Sequence, residues 1–392
     1  MFTLDAMRGG AALAVITYHA LGVAHQTASS GWEWWLPRFA DYVVHYAFAG
    51  IYLFFVISGF CIHLYWARAR ATGVLNPVIN FGTFWKRRVR RLYPPYFVAL
   101  ALYLIYIAYK TPVEVTAFYV WDVVLHLFML HNLDPRTAYT INGAFWTLAI
   151  EEQLYLAYFL LLFLRIRYGW VKTLVLCFSA RVVWLIMSRA LSGPLGFDIP
   201  LTEAAATNWF IWALGAVSVE AALGVTKLPR WCFQISVSGL ALGFAMVLAL
   251  LLPMVDQTSW LHAVGWLVMH PAWGVGFFVL VNYSVAAEQR WRQKLSRVPH
   301  LISALASIGL ISYSLYLTHS FVLMHWYWFG FTEWHIRTIS LVITMPLSVA
   351  FAWLFFRLFE RPFMTSSAAK VREKSRPSSV DQEEIALVQE VA

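Results

Sequence analysis

Ten stretches of the chain are apolar for long enough to cross a hydrocarbon core of roughly 30 Å. They cover residues 5–26, 40–66, 92–110, 145–166, 170–192, 204–224, 232–253, 260–282, 303–328 and 337–358. An eleventh stretch, 114–132, is interrupted by Glu114, Asp122, His126 and His131, which a lipid-facing helix does not accommodate easily. Basic residues decide between the two counts, because they favour the cytoplasmic side of short loops. With the N-terminus inside and 114–132 left as a re-entrant or interfacial helix, Arg68–Arg91, Arg165–Lys172, Lys227–Arg230, Arg290–Arg297 and Arg361–Arg376 all fall inside. A crossing at 114–132 would move every later basic loop outside. The pattern therefore predicts an all-α polytopic integral membrane protein of about ten transmembrane helices with both termini cytoplasmic. Residues 1–362 form one transmembrane domain, and residues 363–392, where Ser, Lys, Glu and Val dominate, read as a disordered cytoplasmic tail.

Composition agrees with this pattern. Hydrophobic residues make up 60% of the 392 and charged ones only 12%, about half the charge of a soluble domain. The net charge of +9 lies between the apolar spans, where it sets topology, so no nucleic-acid partner is expected. Cys61, Cys177 and Cys232 show no paired spacing, so neither disulfides nor a metal centre is expected. A charged Asp5 and Arg8 stand where a signal peptide would be featureless, so the first helix is read as retained. The expected home is a bacterial inner (plasma) membrane.

Ionisable residues inside spans are expensive, which makes them the candidates for chemistry. Arg8 and His19 are eleven residues apart, three helical turns plus roughly 20°, so they share one face about 16 Å apart along the axis. In the second span the small pair Ser58-Gly59 permits close approach of a helix or a ligand. Lys86, Arg87, Arg88, Arg90 and Arg91 precede the third. Arg88 and Arg91, three apart, point the same way and suit a phosphate, which guanidinium groups bind bidentately; lipid headgroups or topology are the competing explanations. Glu151 and Glu152 lie inside the fourth span near Trp146 and Tyr155, and at least one must be paired or protonated. A structural salt bridge to Arg181 of the next span is the plainer alternative. Ser312, Tyr316 and His319 form one polar stripe on the ninth span, as a site or as an interhelical hydrogen-bond seam. Gly31-Trp32-Glu33-Trp34-Trp35 reads as an interfacial aromatic belt or a sugar-stacking platform.

These pieces together resemble the acyltransferase 3 family of multipass membrane acyltransferases. The likeness runs through Arg8 and His19, Phe54–Phe60, Arg88 and Arg91 before Leu92-Tyr93-Pro94, the Trp146–Tyr155 block and Ser312–His319. It covers nearly the whole chain to about Pro362. Gly10, Thr147 and Ala149 depart from the family pattern without removing a charged motif residue. The resemblance implies an acyl-CoA donor, acetyl-CoA foremost, and transfer to a carbohydrate hydroxyl on a surface or exported glycan, polymeric or lipid-linked. Some members of that family append an extracytoplasmic hydrolase-like domain; this chain is read as lacking it, so it is expected to complete transfer alone or with a separate partner.

On this reading Arg8, Arg88 and Arg91, with Lys86 and Arg87, bind the donor's phosphates from the cytoplasm. His19 acts as general base or is itself acylated transiently, and Glu151 orients His19 or the acceptor. Ser58, Trp146, Glu152, Tyr316 and His319 contact the acceptor or the developing oxyanion. The alternative is a proton-coupled transporter that uses the intramembrane His and Glu as a relay.

Overall fold

The computed structural model describes residues 2–27, 46–110, 115–195, 203–256, 259–292, 299–325 and 343–364. Among these the chain is all-helical, without strands. Helix α1 spans Phe2–Thr27, α2 Gly50–Ala71, α3 Phe81–Lys110, α4 Ala117–Leu127, α5 Trp146–Leu195 and α6 Ala205–Ala222. They are followed by α7 (Ile235–Leu251), α8 (Trp260–Arg292), α9 (His300–Leu310), α10 (Ser312–His325) and α11 (Met345–Phe355), the last prolonged by a π-turn over Phe356–Glu360.

Helix α5 is broken at Gly169, whose φ of 75° lies in the left-handed region that glycine enters freely. Arg165 and Trp170, on either side of the break, both reach Glu220 at the end of α6. Eleven residues beyond Trp170, Arg181 reaches the Thr207 carbonyl at the other end of α6. The two halves of α5 therefore fold back on each other as a hairpin, matching the separate stretches 145–166 and 170–192.

Five helical segments are long and apolar enough to cross a membrane, and the α9–α10 pair makes a sixth if it counts as one span. The expected ten is not reached by this measure among the described residues. Helix α11 is too short, and α6 is buried nearly all round, so it has no need of a lipid-compatible surface. Helix α4 has 11 residues, roughly 16 Å of rise and half of a hydrocarbon core. The Thr116 hydroxyl starts it by accepting from the Tyr119 amide at 3.1 Å.

The stretch expected as a single span at 303–328 is bent, because α9 and α10 meet at Ile311 at 76°, either as one broken span or as a re-entrant turn. Helix α9 lies so close along α1 that a Cβ on Gly309 would land on the Asp5 carbonyl oxygen, and one on Gly9 would land on that of Leu305. That contact fixes the course of α9, and α10 departs from it toward the bundle centre. Trp66, Trp212, Tyr96, Tyr103, Tyr158, Phe55 and Phe145 fill the centre with almost no exposure. The Gly31–Trp35 segment and residues 365–392 of the expected tail lie outside the described residues, and helix continues to Met364, two residues past the expected boundary.

Candidate active site

A cavity of ≈ 180 Å³ opens where α1, α2, α3, α5, α9 and α10 converge on the π-turn. Its wall contains Arg8, Arg88 and Arg91 as well as Glu151 and Glu360, so three guanidinium groups face two carboxylates and the lining is net positive by one. Arg8 donates to Asp5 Oδ1 at 3.1 Å and lies 2.8 Å from Cys61 Sγ. Arg88 sits over the rings of Phe84 and Tyr155, 5.4 and 5.8 Å from their centroids. Its Nε is buried and has no hydrogen-bond partner among the described residues. Arg91 is exposed at the rim, and Lys86 and Arg87 are exposed outside the wall.

Glu151 lines the cavity with Ser58 and Tyr155 and lies within electrostatic reach of Arg8 and Arg88. The Ser58 hydroxyl in turn accepts from Trp212 Nε1 at 3.2 Å. The residue after it, Gly59, lets the backbones of α2 and α6 meet, since a Cβ there would fall on the Trp212 carbonyl oxygen. The two readings of Ser58-Gly59 are thus divided between its members: Gly59 packs, and Ser58 lines the cavity.

The expected pairing of Glu151 with His19 is not what the bundle builds. Glu151 belongs to the arginine cluster, and the Arg181 alternative fails as well. Arg181 spends its donors on the carbonyls of Thr207, Trp266 and Leu267 and on His270 Nδ1. His19 instead faces His319, with ring centroids 5.1 Å apart, and Tyr18 at the same distance.

His319 Nδ1 lies 2.9 and 3.2 Å from the Tyr316 and Leu315 carbonyls, which only accept. Nδ1 therefore carries the proton, and Nε2 is left to accept from Ser320 at 3.2 Å. Tyr316, 5.7 Å from His319 between ring centroids, shares a 2.5 Å hydrogen bond with Thr147 and donates to the Ala144 carbonyl at 3.0 Å. Thr147, Ser312 and Tyr316 all reach the cavity wall, so Tyr316 stands between the cavity and the histidine pair. Trp146 is half-buried at the start of α5. Glu152 is buried away from the wall, and neither of its carboxyl oxygens has a hydrogen-bond partner among the described residues.

Glu360 was not anticipated. The π-turn carries it inward, where it is 1% exposed and accepts from Ser314 Oγ at 2.5 Å, with Arg91 in electrostatic reach. Its signal was available: it is a carboxylate at the end of an apolar run, masked by Arg361 beside it. π-Turns of this kind recur at functional sites.

The fold and site define a helical membrane protein with a net positive cavity and, beyond Tyr316, a facing pair of imidazoles, His319 buried and His19 half-buried. The profile of the acyltransferase domain of the acyltransferase 3 family matches residues 2–357, and the chain belongs to that family. It is similar to the O-acetyltransferase OatA of Staphylococcus aureus (strain NCTC 8325 / PS 47), 26% identical over 389 residues, with 92% of this chain and 56% of the relative covered. The peptidoglycan O-acetyltransferase OatA of Listeria monocytogenes serovar 1/2a is 29% identical over 188 residues, 43% of this chain and 25% of that protein. The chain thus spans about half the length of the Staphylococcus relative it matches (56%). No solved structure matches it.

Proposed function

We propose that this chain transfers an acyl group, acetyl in the first instance, from a cytoplasmic acyl-CoA to a hydroxyl of a glycan, with peptidoglycan as the leading acceptor class. The observation that carries this reading is Arg88: a guanidinium turned into a net positive cavity, its buried Nε without a protein partner. Such a group is satisfied by a phosphate or another anion. A cavity of ≈ 180 Å³ is smaller than the roughly 300–1,000 Å³ that encloses drug-sized ligands. It admits a thin thioester arm and leaves the charged head of the donor at the rim, beside Arg91.

The arm runs along α1 toward His19. There His19 takes the proton of the acceptor hydroxyl as that oxygen attacks the thioester carbonyl. The carbon–sulfur bond breaks, the sulfur leaves as thiolate, and the imidazolium returns the proton to it. If His19 is acylated first, the acyl group leaves sulfur for the imidazole and then moves to the acceptor, with the same overall balance. Tyr316, between cavity and histidines, can turn its hydroxyl from the Ala144 carbonyl to the developing oxyanion. Glu151 balances and orients Arg8 and Arg88.

The test uses purified full-length chain in detergent, radiolabelled acetyl-CoA and a soluble peptidoglycan fragment. Wild type is expected to label the glycan, with His19→Ala at least about 10³-fold slower, in the range lost when a catalytic acid or base is removed. Equal rates in wild type and His19→Ala would refute the reading. The unpaired Glu152 favours the competing proton-coupled transporter, which predicts proton flux in liposomes that needs no acyl-CoA.

A further inference from the structure

Outside the wall of the arginine cavity lies a second group of side chains that the proton and acyl transfers do not use. Tyr139, in the loop before α5, is 50% exposed, and its hydroxyl donates to the carboxylate of Glu203. Its ring packs edge-on against Trp146 at 6.3 Å. Two contacts brace the group against α5. The amides of Asn132 and Gln153 bond reciprocally at 3.2 and 2.8 Å, and Asn132 Nδ2 also donates to the Glu203 carbonyl at 2.6 Å. Tyr18 and Tyr52 lie within electrostatic reach of Tyr139, and Tyr18 adjoins His19 in both sequence and space. Trp146 precedes Thr147, the partner of Tyr316. The group therefore joins the reaction centre from both α1 and α5.

We propose that Tyr139, Trp146 and Glu203 form the acceptor lip, a subsite for a neutral pyranose ring of the glycan; this rests on the acyltransferase reading. Aromatic faces are electron-rich and attract the weakly positive C–H face of a sugar, while a carboxylate accepts from ring hydroxyls. A tyrosine that serves only as a membrane-belt anchor turns its hydroxyl to the headgroups. This one gives it to a carboxylate, and the residue remains half exposed. The Glu203 charge disfavours acidic sugars at the same position.

The test measures binding of a β-1,4-linked N-acetylglucosamine tetrasaccharide to the detergent-purified chain by calorimetry without donor, together with KM for acceptor and for acetyl-CoA. Tyr139→Ala and Glu203→Gln are each expected to weaken tetrasaccharide binding about tenfold, the size of one lost stacking or charge-assisted contact. The acceptor KM rises with it, and the donor KM changes less than twofold. Tyr139→Trp restores binding, which a merely structural role would not predict. Absent binding by wild type, or unchanged binding in both variants, overturns the lip. Failure of label transfer with tetrasaccharide binding intact overturns the enzyme reading instead.

Discussion

Two clusters of buried charge sit in this bundle, and they are built on opposite rules. Every side-chain nitrogen and oxygen of Glu220 and His63 has a partner, although Trp66 Nε1, on the ring stacked against His63, has none among the described residues. The carboxylate accepts from His63 Nε2 at 3.0 Å, from Arg165 Nε and Nη2 at 3.0 and 2.8 Å, from Trp170 Nε1 at 2.8 Å and from Thr226 at 2.5 Å. The far nitrogen of His63 accepts from Tyr158 at 3.1 Å, so the imidazole is saturated too. Beside the cavity, Arg88 Nε is buried with no hydrogen-bond partner among the described residues. A buried charge is tolerated when it is paired and hydrogen-bonded. A saturated cluster has completed its work in the folded chain, whereas an unsaturated one beside a cavity is finished by a ligand.

The sharpest way to break this contrast is to remove the unsaturated cations. Replacing Arg88 and Arg91 together with Ala is expected to raise the KM for acetyl-CoA at least about 100-fold, two lost charge-assisted contacts, while thermal stability stays close to wild type. Equal donor affinity in the double variant, measured by equilibrium binding, would remove the phosphate site. Glu220→Gln should do the reverse. It leaves the part-buried Arg165 without its counter-charge and costs up to about 3 kcal/mol of stability, the scale of a lost charge-assisted hydrogen bond, read by denaturation in mixed micelles, with the donor KM of the folded fraction unchanged.

A smaller effect of opposite sign is expected at Glu360. Glu360→Gln keeps an acceptor for Ser314 but removes a negative charge facing Arg91, so the cavity gains net positive charge. The donor KM should fall about threefold at low salt, and the gain should shrink as ionic strength rises. An increase in KM would show that the carboxylate positions Arg91 rather than competing for it.

The reach of sequence reading differs between these regions for physical reasons. Apolar run length located the helices, because a membrane requires about 20 apolar residues in a row. It could not locate the break at Ile311, since Gly309-Leu310-Ile311 is as apolar as any span and the bend comes from the contact of Gly309 with the α1 backbone. Spacing brought Arg88 and Arg91 to one face, because three residues is a local distance. The partners of Glu151 and His19 are tertiary, so no local spacing announces them: Glu151 lies within electrostatic reach of Arg8, and His19 faces His319. Glu220 and His63 sit inside apolar runs just as the site candidates do, and their saturation shows why a buried charge alone does not mark a site.

The smallest expected effect lies outside the bundle, where the same pair of residue types has neither burial nor a cavity. Arg136 donates to both carboxylate oxygens of Asp134, at 3.0 and 2.6 Å. That bond and charge hold the Asp134 carboxyl down to about 2. A carboxyl lowered in the folded state stabilises it at pH values above its unfolded pKa, near 3.9. The contribution is lost as the pH falls through the folded value. At neutral pH the pair is fully formed, yet Arg136 is largely exposed and the interaction is screened by water and salt. Arg136→Ala should therefore leave the unfolding midpoint at pH 7 within error of wild type, and the two proteins should be indistinguishable at pH 2. A large loss at pH 7 would mean that the loop carrying Tyr139 depends on this ion pair. Tyr139 variants would then need to be read against Arg136→Ala as their baseline.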